Sequence, residues 1–173
     1  MMTVALVGLG SNAGERQELL QKALAVLARE VCLECCSPLY QTQPWGLPAE
    51  VPWFLNAVVR VRTPYSAEEL WALCTQLESF FGRRRSGVPD PVRPLDLDVL
   101  LYGELIVRAE HLCIPHPRLH QRRFVLQPAA DIAPEMRHPL LGKTLDELLQ
   151  ECADPAWVRL YAQPPGECLY ALP

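Results

Sequence analysis

Residues 95–102 read Leu-Asp-Leu-Asp-Val-Leu-Leu-Tyr, an apolar run that predicts a buried β-strand carrying two carboxylates. Because successive side chains of a strand point to opposite faces, Asp96 and Asp98 share one face and the aliphatic side chains around them share the other. Adjacent like charges repel, and a carboxylate without a partner is costly to remove from water. A divalent cation relieves both costs, and Mg²⁺ prefers carboxylate and phosphate oxygens. The strand therefore predicts a magnesium site, with a solvated face bearing two acids as the alternative.

A basic segment rich in glycine and proline, residues 81–94, leads directly into this strand. It contains four arginines, two glycines and three prolines, a composition typical of a loop. Arginine side chains bind phosphate oxygens through paired N–H groups. A basic loop beside two metal-binding carboxylates predicts a site for a nucleotide polyphosphate with its Mg²⁺. The alternatives are a solvated basic loop and a nucleic-acid-binding patch.

A third segment, residues 114–124, reads Ile-Pro-His-Pro-Arg-Leu-His-Gln-Arg-Arg-Phe. It brings two histidines, three arginines and an aromatic side chain into a short stretch that prolines restrict. His116 lies between two of these prolines and is a candidate hydrogen-bond donor to a phosphate oxygen. A single histidine is more often structural, but this one is surrounded by arginines.

Separate short motifs follow one another along the chain. They are Gly-Leu-Gly-Ser-Asn (8–12), Tyr-x-Thr-x-Pro-x-Gly (40–46), Phe-Leu-Asn-Ala (54–57), Glu78 with Gly-Arg-x-Arg (82–85), Arg-x-Leu-Asp-Leu-Asp (93–98), Pro-His-Pro-Arg-Leu-x-x-Arg-x-Phe (115–124) and Asp-Ile-Ala-Pro-Glu (131–135). Together, over roughly residues 3–150, they resemble the 6-hydroxymethyl-7,8-dihydropterin pyrophosphokinase family of folate biosynthesis. The resemblance implies a diphosphotransferase that moves pyrophosphate from ATP to the hydroxyl group of the pterin and releases AMP.

The resemblance also implies roles for particular residues. Those with implied catalytic roles are Arg83, Arg93, Asp96 and Asp98, and those implied to bind ATP are Glu78, Arg85, His116 and Arg122. The two aspartates would hold two Mg²⁺ ions. The residues implied to bind the pterin are Thr42, Gln43, Pro44, Trp45, Phe54, Asn56 and Phe124. Two aromatic rings would stack on the faces of the pterin, and the amide of Asn56 would bind its polar edge.

The chain departs from the family pattern near the proposed nucleotide site. Asp90-Pro91-Val92 stands where members commonly carry Trp-Gly-Pro, so the loop lacks an aromatic side chain and gains a negative charge. His111 and Cys113 stand where a basic residue and a hydroxyl residue are often found. We therefore expect altered nucleotide contacts and altered closure of the loop. Trp45 is larger than the residue frequent at its position and could replace part of the missing aromatic.

The predicted element order is β-α-β-β-α-β, the ferredoxin-like arrangement. The predicted strands cover 3–8, 31–41, 54–63 and 95–102, and the helices begin at Asn12 and at Ser66, where Glu69 completes a capping box. The predicted fold is α+β, a mainly antiparallel sheet with helices on one face and extra C-terminal elements. These extra elements are a hairpin turn at 102–104 into a strand at 105–107, and a helix at 144–151. Residues 1–151 are predicted to form the pyrophosphokinase domain and 152–173 a tail, packed by Trp157, Leu160 and Tyr170 or partly disordered.

Composition narrows the class of protein. The chain has 173 residues, of which 50% are hydrophobic, enough for one domain with a core. A net charge of −4 argues against a general nucleic-acid binder, since such proteins need a positive surface. The first residues lack the layout of a signal peptide, and no apolar run reaches the length that crosses a bilayer. We expect a cytoplasmic monomer whose partners are small molecules, with neither nucleic acid nor membrane among them.

Three local patterns resemble other kinds of site. Gly8-Leu9-Gly10 suggests a dinucleotide fingerprint, but position 13 is alanine. Gly142-Lys143-Thr144 resembles the end of a P-loop, but the required first glycine is absent. Cys32 and Cys35 form a Cys-x-x-Cys pair without a second pair of zinc-finger spacing, so the seven cysteines are expected to pack as small apolar thiols. ATP binding is therefore expected without a Walker motif, and zinc is not expected.

Two other classes of function remain as alternatives to the enzyme. A non-catalytic member of the family would keep the fold as a binding module, and damaged metal or phosphate residues would indicate it. A ferredoxin-like regulatory or RNA-binding domain would account for the fold and the arginines. That class does not account for two aspartates on one face beside a pocket suited to a pterin, so the sequence favours the enzyme.

Overall fold

The computed structural model describes residues 1–83 and 91–164. It contains a six-stranded antiparallel sheet with helices on both faces. The strands are β1 (Thr3–Ser11), β2 (Cys32–Cys36), β3 (Leu39–Thr42), β4 (Phe54–Thr63), β5 (Asp96–Tyr102), β6 (Val107–Arg108), β7 (Cys113–Ile114) and β8 (Val158–Ala162). The helices are α1 (Arg16–Glu30), α2 (Ala67–Phe80), α3 (Arg123–Ile132) and α4 (Leu145–Glu151). Strands β6 and β7 pair with each other in a separate small sheet. The predicted α+β class is confirmed.

The strand order of the main sheet is β5-β1-β4-β3-β8, and β2 also pairs with β4. The first four strands of this order correspond to the ferredoxin-like arrangement that the element order predicts. Gly10 on β1 is in register with Asn56 on β4 and with Asp96 on β5. Three motifs that are far apart in sequence therefore meet in one row across the sheet.

Each face of the sheet has its own core. Along β4, Leu55, Ala57, Val59 and Val61 are buried with α1 and α2, as their alternation predicts. Val58 points the other way and is buried with side chains of α3 and α4. Each fully buried aliphatic side chain contributes about 1.5–3 kcal/mol, so both helical layers are needed for a stable sheet. The prediction of helices on one face describes α1 and α2, and the C-terminal helices cover the other face.

Two helices begin with reciprocal caps. The Ser66 hydroxyl accepts from the Glu69 N–H, and the Glu69 carboxylate accepts from the Ser66 N–H, which forms the predicted capping box. Thr144 and Glu147 make the same pair of bonds at α4. The predicted helix over 144–151 is thus confirmed, with Thr144 as its cap.

Three local predictions are wrong. Helix α1 begins at Arg16, and Asn12 bonds to distant segments instead of capping it. The strand predicted over 31–41 is broken at Ser37-Pro38, because proline has no N–H and the Ser37 hydroxyl accepts from the backbone of Val58. The chain turns at Gly103, but the strand that follows pairs with β7 rather than with β5.

The segment after α4 is joined to the domain. Cys152 and Asp154 are buried, and the Arg123 side chain donates to the backbone carbonyls of both residues. Strand β8 then pairs with β3 and extends the sheet. Trp157 and Leu160, expected to pack this segment, are each 61% exposed, while Tyr170 lies outside the described residues. Within the described ranges, none of the helices has the length and apolar character needed to cross a membrane.

Candidate active site

A cleft opens on the α3 side of the sheet, where β5, β1 and β4 lie side by side. Gly10 contributes no side chain, so the amide of Asn56 and the carboxylates of Asp96 and Asp98 reach the space above the sheet. The expected site residues that line this cleft are Thr42, Gln43, Trp45, Phe54, Asn56, Arg93, Asp96, Asp98, Arg122 and Phe124. The fold thus brings most of the predicted metal, phosphate and pterin residues together.

The remaining expected residues surround the cleft or lie outside the described ranges. Arg83 contacts Asp96, and Glu78 contacts Arg83. His116 is half-buried beside Arg118 and Arg122. Pro44 is half-buried in the loop that follows β3. Arg85 and Asp90 fall among residues 84–90, outside the described part of the chain, so their assignments stay predictions.

Asp96 is held by two arginines. Arg83 donates from Nη1 to Oδ1, and Arg93 donates from Nη1 to Oδ2 at 2.8 Å. Burial alone would raise the pKa of Asp96, but the two guanidinium charges hold this pKa below its usual value. The carboxylate therefore stays ionised, as a ligand for a divalent cation must be.

Glu78 lies behind this pair of arginine contacts. Its side chain is 1% exposed, and Oε1 accepts from the Leu97 backbone N–H at 2.8 Å and from Nη1 of Arg83. The glutamate thus joins the end of α2 to the strand that carries both aspartates. Its contacts in this structure position Arg83, while its implied place near the nucleotide stays a prediction.

Asp98 has a different electrostatic environment from Asp96. Burial, together with the charges of Asp96 and Glu78, raises the pKa of Asp98 to about 7. Its register partner on β1 is Gly8, which lines the same cleft. Ionising Asp98 beside a second carboxylate is costly, and a bound cation lowers this cost by stabilising both negative charges.

His116 is a neutral hydrogen-bond donor at neutral pH. Burial and the charges of Arg122 and Arg118 lower its pKa to about 4. The ring nitrogen Nδ1 accepts from the Arg118 backbone N–H at 3.2 Å, so the hydrogen-bond network places the ring proton on Nε2. That N–H is available to a phosphate oxygen, and the nearby arginines supply the positive charge.

The opposite wall is aromatic and cationic. The Arg122 guanidinium lies 4.9 Å from the ring centre of Trp45 and 5.5 Å from that of Phe124. Arg118 lies 5.8 Å from the same Trp45 ring. These cation–π contacts hold the arginines at the mouth of the cleft. Phe54 is buried and lines the cleft from β4, so a flat heterocycle could lie between aromatic side chains.

The amide of Asn56 has a fixed orientation. Its Nδ2 donates to the Thr42 hydroxyl at 2.6 Å, and both side chains are buried. Oδ1 consequently points toward β1, where a Cβ atom on Gly10 would lie 2.6 Å from it. A side chain at position 10 would force the Asn56 amide to shift, against the hydrogen bond that holds this amide to Thr42. The amide oxygen remains as the acceptor that the cleft offers to the polar edge of a ligand.

Two residues with clear structural roles escape the sequence prediction. Asn12 donates to the carbonyls of Pro52 and Pro91, and its Oδ1 accepts from the Arg93 N–H at 2.6 Å. It therefore fixes the backbone beside Arg93 to the ends of β1 and β4. Arg118 lines the cleft over Trp45. Asn12 and Arg118 belong to the motifs at 8–12 and 115–124. Membership of a motif marks both residues as candidates, but it does not predict which residues they contact.

Asp96 and Asp98 suit Mg²⁺ as a pair of oxygen ligands. In the described part of the chain, no group of three or more His, Cys, Asp or Glu side chains is placed to hold a metal ion. Two carboxylates on one strand face match the way Mg²⁺ usually binds, with water and substrate phosphates completing its six ligands. The donor set therefore fits Mg²⁺ that arrives with a nucleotide better than a permanently bound metal.

Comparison with known proteins gives a consistent result. The family described as 7,8-dihydro-6-hydroxymethylpterin-pyrophosphokinase (HPPK) matches residues 6–134. The 2-amino-4-hydroxy-6-hydroxymethyldihydropteridine pyrophosphokinase of Pseudomonas aeruginosa is 40% identical, over 88% of this chain and 93% of that protein. The protein of the same name from Synechocystis sp. is 39% identical, over 85% of this chain and 75% of that protein.

A solved structure supports the fold independently. The structure of wild-type Plasmodium falciparum HPPK-DHPS with pteroate aligns with a TM-score of 0.68 at 15% identity. The alignment covers 87% of this chain and 44% of that chain, so the present chain spans less than half of the longer protein. With the family match over most of the chain and relatives near 40% identity, the chain belongs to the 7,8-dihydro-6-hydroxymethylpterin-pyrophosphokinase family.

Proposed function

We propose that the cleft above β5, β1 and β4 is the centre at which this chain transfers pyrophosphate from ATP to 6-hydroxymethyl-7,8-dihydropterin. The reaction is the one for which the matched relatives are named, and it is a step of folate biosynthesis. The observation that carries the assignment is the row formed by Asn56, Gly10 and Asp96 across the sheet. It sets a pterin-type pocket directly beside a carboxylate pair.

The pterin is assigned to the β4 side of the cleft. Phe54 and Phe124 supply aromatic faces, and the amide oxygen of Asn56 supplies an acceptor in a fixed direction. Gln43, whose backbone N–H donates to the Trp157 carbonyl, places the loop after β3 at the rim of this pocket. We assign to this loop, Thr42 to Trp45, the remaining contacts with the polar edge of the ring.

The triphosphate is assigned to the β5 side. Arg122 and the Nε2–H of His116 would bind its oxygens, and Asp96 with Asp98 would hold two Mg²⁺ ions. When bound, Mg²⁺ would neutralise phosphate charge during transfer. The hydroxymethyl oxygen of the pterin attacks the β-phosphorus and releases its proton to water. The bond from that phosphorus to the α–β bridging oxygen breaks, and AMP leaves with that oxygen. Positioning and charge neutralisation supply most of the catalysis in such transfers.

Product analysis tests the proposal. The protein is mixed with ATP, Mg²⁺ and 6-hydroxymethyl-7,8-dihydropterin, and nucleotide and pterin products are separated. We expect AMP and pterin diphosphate in equal amounts, lost in Asp98→Ala and retained in Glu104→Ala, an exposed acid just after β5. ADP as the product would identify an ordinary kinase, and ATP binding without turnover would favour the binding module. Action as a monomer stays a prediction.

A further inference from the structure

Both carboxylate oxygens of Asp96 already carry a positively charged donor. Arg83 donates to Oδ1, and Arg93 donates to Oδ2 at 2.8 Å. The Asp96 side chain is only 17% exposed, so these contacts are partly shielded from water. In the absence of metal, the strand that carries two acids is therefore neutralised by side chains of the same chain.

The two arginines and a divalent cation would compete for the same two oxygens. A cation bound to Asp96 would lie within a few ångströms of two guanidinium groups, and repulsion at that distance is strong where the surroundings are partly buried. Removing the arginines without a replacement would leave two like charges on one strand face. Exchange of one positive charge for another avoids both costs.

We propose that Arg83 and Arg93 are exchangeable counter-ions of Asp96, which leave this carboxylate when a divalent cation binds and thereby become free for phosphate. The inference rests on the proposed function in one respect, the assignment of Asp96 as a metal ligand. It adds that binding of the metal to Asp96 and release of the two arginines for phosphate occur together. Before metal binds, the two arginines remain on Asp96 and are therefore less available to bind a nucleotide that lacks Mg²⁺.

The contacts around each arginine fit a limited movement. Arg83 also donates to Glu78, so it keeps an acceptor after leaving Asp96. The backbone of Arg93 is held on both sides by Asn12, whose N–H donates to the Arg93 carbonyl at 3.0 Å and whose Oδ1 accepts from the Arg93 N–H. Release therefore needs rotation of side chains, while the Arg93 backbone stays fixed.

Metal binding without any nucleotide or pterin tests the exchange. Electron paramagnetic resonance measures free Mn²⁺ during titration of the wild type, Arg83→Met, Arg93→Met and Arg118→Met. Each of the first two variants removes a competitor worth one charged hydrogen bond, so we expect Mn²⁺ affinity to rise about tenfold. Arg118 lines the same cleft over Trp45, and its removal controls for the general loss of one positive charge. In that variant, affinity should change by less than about twofold.

A second measurement follows the arginines themselves. Side-chain NMR signals of Arg83 and Arg93, assigned by loss in each variant, should shift when Mg²⁺ is added to the wild type and stay unchanged in Asp98→Asn. Unchanged or weaker Mn²⁺ affinity in both methionine variants would overturn the exchange while leaving the metal site in place. Absence of Mn²⁺ binding in all four proteins would also overturn the exchange, because metal alone would then not displace the arginines, while the site for nucleotide-borne metal would still be tested by product analysis. Either result is separate from the product analysis above.

Discussion

At the scale of single residues, Gly10 leaves the space that the Asn56 amide needs in the proposed pterin pocket. A methyl group here would meet Oδ1 of Asn56 at 2.6 Å and displace the amide that the Thr42 hydroxyl orients. We expect Gly10→Ala to raise KM for the pterin by about tenfold, because one buried hydrogen bond is lost, with a smaller change in kcat. Steady-state kinetics with varied pterin at saturating ATP measures it.

The matched control for this substitution is Gly8→Ala on the same strand face. A methyl group at Gly8 would lie 3.4 Å from the Leu100 side chain, an ordinary contact that a flexible side chain accommodates. KM should then change by less than about twofold. Equal effects of the two alanines would contradict a specific role of the Gly10–Asn56 approach.

His116 should make the stability of the protein depend on pH. Its folded-state pKa of about 4 lies below the ordinary histidine value of 6.5, so the unfolded chain binds more protons between these values. Stability from this group is therefore complete above about pH 6.5 and is lost as pH falls toward 4. We expect the free energy of unfolding to fall between pH 7 and 4.5 by on the order of 1–2 kcal/mol more in the wild type than in His116→Asn.

Urea denaturation at several pH values measures this difference. Asparagine keeps an acceptor for the Arg118 N–H but does not titrate, so it isolates the protonation of the ring. Parallel pH profiles of the two proteins would show that His116 is not held neutral by its surroundings.

Residue roles were predictable where they depend on local periodicity and not where they depend on distant partners. Asp96 and Asp98 share a face because strands alternate, and this needs only the residues themselves. The contact between Asn12 and Arg93 joins positions 81 residues apart, and nothing near Asn12 specifies it. A polar residue before a helix favours a cap by default, so the local pattern gave the wrong partner.

At the scale of elements, the two main helices differ in how they begin. Ser66 makes a reciprocal cap with Glu69 at α2, whereas Glu15 makes no side-chain cap at α1. We expect Ser66→Ala to cost about 1 kcal/mol and Glu15→Ala to cost close to nothing. Chemical denaturation of both variants tests the contrast. Equal losses would mean that the Ser66 bonds add no net stability.

Strands were predictable where nearby residues determine where the strand begins and ends, and not where a distant strand does. Along residues 54–63, Leu55, Ala57, Val59 and Val61 recur at every second position, so the strand and its face toward α1 and α2 were predictable. The break at Ser37-Pro38 has a local signal, the missing N–H of proline, whereas the pairing of β8 with β3 has none. Strand β8 has three exposed residues in succession, Leu160 among them, so it does not show the alternation of a half-buried strand.

At the scale of the whole molecule, the segment after α4 should be required for stability. Arg123 joins α3 to this segment through its side chain, and Asp154 accepts from the Arg123 N–H at 3.0 Å. We expect a chain ending after Glu151 to unfold at a clearly lower temperature than one ending after Gln163, which retains β8. Loss of β8 also frees Gln43, so KM for the pterin should rise.

Thermal unfolding and pterin kinetics on both truncated chains test this prediction. The longer chain lacks only the last ten residues and serves as the control. If the two chains melt together and bind pterin equally, the C-terminal strand is dispensable and residues 1–151 are an independent unit.

The position of β5 at the end of the sheet has a consequence for solubility. A terminal strand presents unpaired backbone groups to which a strand of another molecule can add. Here the outer N–H of Leu97 is taken by the Glu78 carboxylate, and the outer carbonyl of Leu100 accepts from the His116 N–H at 2.9 Å. Two residues implied to act on the nucleotide thus also block edge-to-edge aggregation of the strand that carries the aspartates.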